Sequence, residues 1–211
     1  MLQERVKDTI NAIGTTELVH PIFYHCPIGL RFEIGNPLAT IYTGNIPSTK
    51  YVKDALSKAI ELYENTRFEF DILLWEVYSQ DKANAPNQLQ RFIELTQLTA
   101  PQEQKSERAY LDENMDDHTK KTSYYWDLQL QHLNVTGLFQ EIITADLGGF
   151  AELASSVYLF DTKTNIIFHI YDDRGLDIVA QNKEALFHLY RDNNSWLLDY
   201  DRERINDMFA K

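Results

Sequence analysis

Three short apolar runs, Ser156–Phe160, Ile166–Tyr171 and Leu176–Ala180, follow one another with only Asp161–Asn165 and Asp172–Gly175 between them. Branched and aromatic residues over such lengths read as strands. Connections of four or five residues cannot return a chain to a parallel neighbour, which needs a crossover of about a dozen or more. The three runs therefore predict adjacent, antiparallel strands. A purely parallel doubly wound sheet cannot contain them, although the earlier part of the chain could still form parallel crossovers.

Upstream, the periodicity alternates between helical and extended. Leu2, Val6, Ile10 and Ile13 have helical spacing, with Gly14 as a stop. Leu30-Arg31-Phe32-Glu33-Ile34 alternates strictly and predicts a half-buried strand. Ser48 or Thr49 can cap a helix whose buried stripe is Val52, Leu56, Ala59, Ile60 and Tyr63. Phe68–Ser79 reads as a long strand, and Pro86-Asn87 opens a further helix. Tyr124–Leu133 alternates again, and Asn134 can cap a helix carrying Leu138, Phe139, Ile142 and Ile143. After the meander come helices over Lys183–Tyr190 and from about Asp201 to Phe209. The expected fold is α+β: a mixed or mainly antiparallel sheet with helices packed on one side, ending in the meander and two helices. Doubly wound α/β is the alternative.

The chain has 211 residues, enough to bury roughly 70% of its unfolded surface in one domain without a disulfide or metal. One domain over residues 1–211 is expected. The stretch Thr99–Thr122 is charged and lacks a periodic apolar pattern. It is expected to be a mobile loop or insertion.

Charge narrows the partners. The net charge is −12, of which −9 falls on residues 106–211. Phosphate backbones repel such a surface, so nucleic acid is not expected. Opposite charge steers encounter, so a basic protein is the partner class that suits it. No run of apolar residues is long enough to span a membrane. The single cysteine, Cys26, excludes an intramolecular disulfide and a thiolate-rich zinc site and fits a reducing, cytoplasmic compartment.

The densest chemistry lies in Tyr171-Asp172-Asp173-Arg174-Gly175-Leu176-Asp177. Clustered carboxylates can hold a hard cation or do acid–base work. Turn chemistry competes: Asp172 can start a hairpin turn and Gly175 can supply a positive φ at its end. Turn chemistry leaves Asp173, Arg174 and Asp177 unexplained, so the group stands as a candidate functional cluster. If a metal binds, its ligands are Asp172, Asp173 and Asp177, but neither metal nor cofactor is expected. Asp199, Asp201 and Arg202 extend the cluster, with Asp199 or Asp201 also suited to cap the last helix. Three carboxylates in one turn repel, so Arg202 or Arg204 is expected near them.

Arg31 and Glu33 share one face of their strand. They are solvated by default, and become a buried ionic site if a helix covers that face. His25-Cys26 does not make a nucleophile–base pair, because neighbours on an extended chain point to opposite faces. The six histidines show no zinc-hydrolase spacing, and no phosphate-cradling glycine motif or nucleophile elbow occurs.

Pro27-Ile28-Gly29-Leu30-Arg31-Phe32-Glu33-Ile34-Gly35, Tyr171–Ala180 (YDDRGLDIVA) and Trp196–Phe209 (WLLDYDRERINDMF) together resemble the bacterial domain-of-unknown-function family numbered 3885. The resemblance runs from about residue 27 to residue 209, with Thr99–Thr122 outside it. It implies a soluble bacterial protein and carries over no catalytic or binding residue. The residues themselves favour a binding protein over an enzyme: an acidic partner of a basic protein, of the immunity or inhibitor kind. A metal-dependent enzyme or metal-binding protein built on Asp172, Asp173 and Asp177 is the alternative.

Overall fold

The computed structural model describes residues 1–79, 85–108 and 120–210. In chain order its main elements are α1 (Leu2–Ala12), α2 (Ile22–His25), β1 (Gly29–Glu33), β2 (Tyr42–Thr43), β3 (Ile46–Pro47) and α3 (Thr49–Thr66). Next come β4 (Ile72–Ser79), α4 (Ala85–Thr96), β5 (Glu103–Arg108), β6 (Lys120–Asp127) and α5 (Val135–Thr144). The chain ends with β7 (Val157–Asp161), β8 (Ile166–Ile170), β9 (Gly175–Ala180), α6 (Phe187–Asp192) and α7 (Arg202–Phe209). Two expected caps form: the Ser48 hydroxyl accepts from the Tyr51 amide, and Asn134 Oδ1 accepts from the Gly137 amide at 3.1 Å.

Seven strands form one sheet in the order β1-β9-β8-β7-β4-β6-β5, and every neighbouring pair is antiparallel. The meander β7-β8-β9 is adjacent and antiparallel, as its short connections require. The fold is α+β.

Helices cover both faces, where packing on one side was expected. One face buries Leu30, Phe32, Trp75, Trp126, Phe168 and Ile178 against α3–α7. Trp75 stacks on Phe92 of α4 with ring centroids 4.3 Å apart. The opposite face buries Leu74, Tyr158, Phe160, Ile167 and Val179 against Leu2 and Val6 of α1 and Ile22 of α2. Two covered faces explain why β7, β8 and β9 are buried along their whole length and read as continuous rather than alternating runs.

The loop reading of Thr99–Thr122 needs correction over part of its length. Residues 103–108 form β5, an edge strand, and residues 120–122 begin β6. An edge strand tolerates charged side chains, so EQKSER carries no apolar signal. Glu103 also anchors α1: its carboxylate accepts the amides of Leu2 at 2.7 Å and Gln3 at 3.1 Å. The rest of the stretch, 109–119, lies outside the described residues. The strand expected over Tyr124–Leu133 starts earlier and stops at Asp127, whose Oδ1 accepts the Gln129 amide and turns the chain. Leu130, past the end of the strand, is exposed.

Candidate functional site

Antiparallel register places Arg31 of β1 opposite Asp177 of β9, and Asp177 opposite His169 of β8. Residues paired this way put their side chains on one face. That face is the one covered by α2, held between Pro21 and Pro27 in a segment that cannot continue as a central strand. The condition that turns Arg31 into a buried ionic site is therefore met.

Arg31 is the hub. Its Nε donates to the Tyr171 hydroxyl at 3.2 Å and lies 3.4 Å from Asp177 Oδ1. Its Nη1 lies 3.9 Å from Asp201 Oδ2. The guanidinium sits over the rings of Tyr24 and Tyr171, 5.1 and 5.2 Å from their centroids. Such placement favours a cation through the negative face of each ring. Only 11% of the Arg31 side chain is exposed, and none of Asp177.

Asp177 Oδ2 accepts the Phe23 amide at 3.2 Å. Its Oδ1 makes no hydrogen bond among the described residues. Burial pushes the Asp177 carboxyl up to about 7, while Arg31 and the Phe23 amide pull the other way. His169 donates from Nδ1 to the Val157 carbonyl at 2.8 Å, which leaves Nε2 as an acceptor with no hydrogen bond among the described residues. Burial lowers its pKa to about 3, so it is neutral. It stacks on Tyr158, and His20 meets it edge-on at 5.6 Å.

A cleft of about 390 Å³ opens beside this network. Arg31, His20, Tyr171 and Arg174 line one part, and Pro37, Ile41, Tyr51 and Leu198 another. Glu33 also lines it.

The acidic turn does not act as one group. Asp172 binds its own turn: Oδ1 accepts the Arg174 amide at 2.8 Å, and Oδ2 pairs with the Arg174 guanidinium. Asp173 accepts the Tyr51 hydroxyl at 2.6 Å, and burial raises its pKa. Asp177 belongs to the strand and turns to Arg31. Among the described residues no three His, Cys, Asp or Glu side chains gather as metal ligands would.

Gly175 does not take a positive φ, as turn chemistry had suggested. It is needed for space: a Cβ there would lie 2.2 Å from the Tyr171 hydroxyl and 2.7 Å from the Phe32 carbonyl.

The last helix does approach the network, but through another cation than expected. Asp201 accepts the Tyr24 hydroxyl at 2.9 Å and faces Arg31, so it makes no side-chain cap for α7. Arg202 bonds Asp199 at 2.8 Å and the carbonyls of Asn194 and Leu197. Arg204 lies over Phe23 and Tyr24. Arg31, and not Arg202 or Arg204, is the cation between Asp177 and Asp201, while Asp172 and Asp173 keep other partners. Sequence reasoning missed Tyr24, His20, Tyr51 and His169, and had Tyr171 only as the residue that opens the acidic turn. The one local signal was the density of rings in His20-Pro21-Ile22-Phe23-Tyr24-His25. Cys26 is buried and free, and burial pushes its thiol up to about 12, as suits a structural cysteine.

The surface beside the cleft is partly apolar. Leu38, in the turn that leads to the β2–β3 hairpin, is 94% exposed, and on the hairpin Ile46 is 71% and Tyr42 44% exposed. Past Leu198, which also lines the cleft, Asp199 and Tyr200 are almost fully exposed. No helix among the described residues is long and apolar enough to cross a membrane. No curated protein and no solved structure matches the chain. A domain family of unknown function, DUF3885, matches residues 4–201, and the chain belongs to that family.

Proposed function

We propose that this chain is an acidic protein-binding module of the bacterial cytoplasm that docks a basic protein, in the manner of an immunity or inhibitor protein. The observation that carries this reading is the segment from Leu38 through the β2–β3 hairpin, which leaves Leu38, Tyr42 and Ile46 exposed next to a cleft in a chain of net charge −12. Grouped exposed apolar side chains mark interaction surfaces far more often than scattered ones. Aromatic anchors such as Tyr42 and Tyr200 are the side chains that dominate binding energy at protein interfaces. The net negative charge of the chain supplies steering toward a basic partner and repels nucleic acid. The metal-dependent alternative has less support, because Asp172, Asp173 and Asp177 each have a different partner.

The test is capture from a lysate of the source bacterium by tagged wild type and by the doubly substituted Leu38→Asp/Ile46→Asp protein. The reading expects a basic protein held by the wild type, released by salt, and absent from the variant. Capture that is equal for both baits, or of acidic proteins only, refutes it.

A further inference from the structure

We infer that the cleft beside Arg31 is a binding site for a singly charged carboxylate that carries an apolar tail. A guanidinium has five N–H donors. In Arg31, Nε donates to Tyr171, and Nη1 faces Asp201 Oδ2 at 3.9 Å, beyond hydrogen-bond length. The side chain is nonetheless almost nine-tenths buried, with 11% exposed. Neither Nη is among the buried polar atoms left without a partner, so these donors open onto the cleft that Arg31 lines and are available to a ligand that supplies acceptors. The space for it exists: the cleft of about 390 Å³ that Arg31 lines is within the size range of small-ligand pockets.

The fork is also held in place. Asp177 and Asp201 flank the guanidinium, and the Tyr24 and Tyr171 rings lie against it. A planar fork fixed in this way matches the two oxygens of a carboxylate. Pro37, Ile41 and Leu198 line the same cleft and offer an apolar wall to whatever carries the carboxylate.

Charge chooses between carboxylate and phosphate. Glu33 lines the cleft, and Asp172 and Asp173 are hydrogen-bonded to Arg174 and Tyr51, which also line it. Arg174 is the second cation of the lining and is already paired with Asp172. Each further negative charge on a ligand meets those carboxylates without a further cation to offset it. A monoanion is accommodated where a dianion is repelled. A neutral amide forfeits the charge-assisted pair.

The carboxylate can belong to a free small acid or to the C-terminus of a polypeptide, and the site stands whether or not the hairpin docks a protein. Calorimetric titration of the full chain separates the sources. The probes are hexanoate, hexanamide, inorganic phosphate, and a tetrapeptide ending in leucine with a free or an amidated terminus. Hexanoate, the free-acid peptide, or both should bind at least about tenfold tighter than the corresponding amide and than phosphate. Tighter binding of hexanoate assigns a free acid, and tighter binding of the peptide assigns a chain terminus. Ile41→Glu places a carboxylate at the half-exposed cleft wall. It should weaken binding at least about tenfold with an unchanged melting temperature. Arg31→Lys keeps the charge, removes the fork, and should weaken binding similarly. Failure of every carboxylate to bind, phosphate binding as tightly as the carboxylates, or undiminished binding by Ile41→Glu overturns the inference. Ile41→Glu alone decides if Arg31→Lys fails to fold.

Discussion

Replacing Asp177 by asparagine should change the pH dependence of stability more than stability itself. Asp177 is fully buried, and burial raises its carboxyl from the ordinary value near 3.8 to about 7. Unfolded, it ionises near its ordinary value. Between about pH 4 and pH 7 the folded state therefore keeps a proton that the unfolded state has released. Stability falls with pH wherever the unfolded state binds fewer protons. The contribution of Asp177 is thus full below about pH 4 and lost as pH rises to about 7, then flat. A shift of about three pKa units corresponds to about 4 kcal/mol. An asparagine side chain is of nearly the same shape, keeps an acceptor for the Phe23 amide, and does not titrate. Subtracting the two proteins' curves cancels every other group. Relative to the wild type, the Asp177→Asn variant should gain about 4 kcal/mol between about pH 4 and pH 8, or about 8–16 °C in melting temperature for a chain of this size. The assay is thermal and urea unfolding of both proteins across that range. Parallel curves would refute the reasoning: they would mean that Arg31 holds Asp177 ionised down to its ordinary pKa, so that attraction outweighs burial.

Two further outcomes follow from packing. Gly175→Ala puts a methyl group 2.2 Å from the Tyr171 hydroxyl and 2.7 Å from the Phe32 carbonyl, and should cost about 1–3 kcal/mol or more in a urea melt. An unchanged midpoint contradicts the close approach. Cys26, buried with its thiol pushed up to about 12, should react with a thiol reagent only on unfolding, whereas rapid modification of the native protein contradicts its burial.

The meander was legible because loop length alone decides between parallel and antiparallel neighbours. The caps at Ser48 and Asn134 were legible because a side-chain acceptor just before an apolar stripe is a local signal. Strict alternation also put Arg31 on the face opposite Leu30 and Phe32. What covers that face was not legible. The cover is a helix of four residues, Ile22–His25, too short for any period to show. The partners of Arg31 — Tyr171, Asp177 and Asp201 — lie 140 to 170 residues further along. Nearness in sequence also misled: Asp172 and Asp177 look like one cluster. Yet the turn uses the first for its own amides and the strand register hands the second to Arg31. β5 was invisible because an edge strand can be built from EQKSER without one apolar residue.

The docking claim is tested most directly by titrating the purified captured partner into the wild type and into the Leu38→Asp/Ile46→Asp protein over a series of salt concentrations. The account predicts affinity that falls as salt rises, because steering between an acidic chain and a basic partner is screened beyond about 10 Å at 0.1 M salt. It also predicts at least about a hundredfold loss in the hairpin variant, equivalent to about 2.8 kcal/mol, with its melting temperature unchanged. Salt-independent binding, or equal affinity for both proteins, would contradict it.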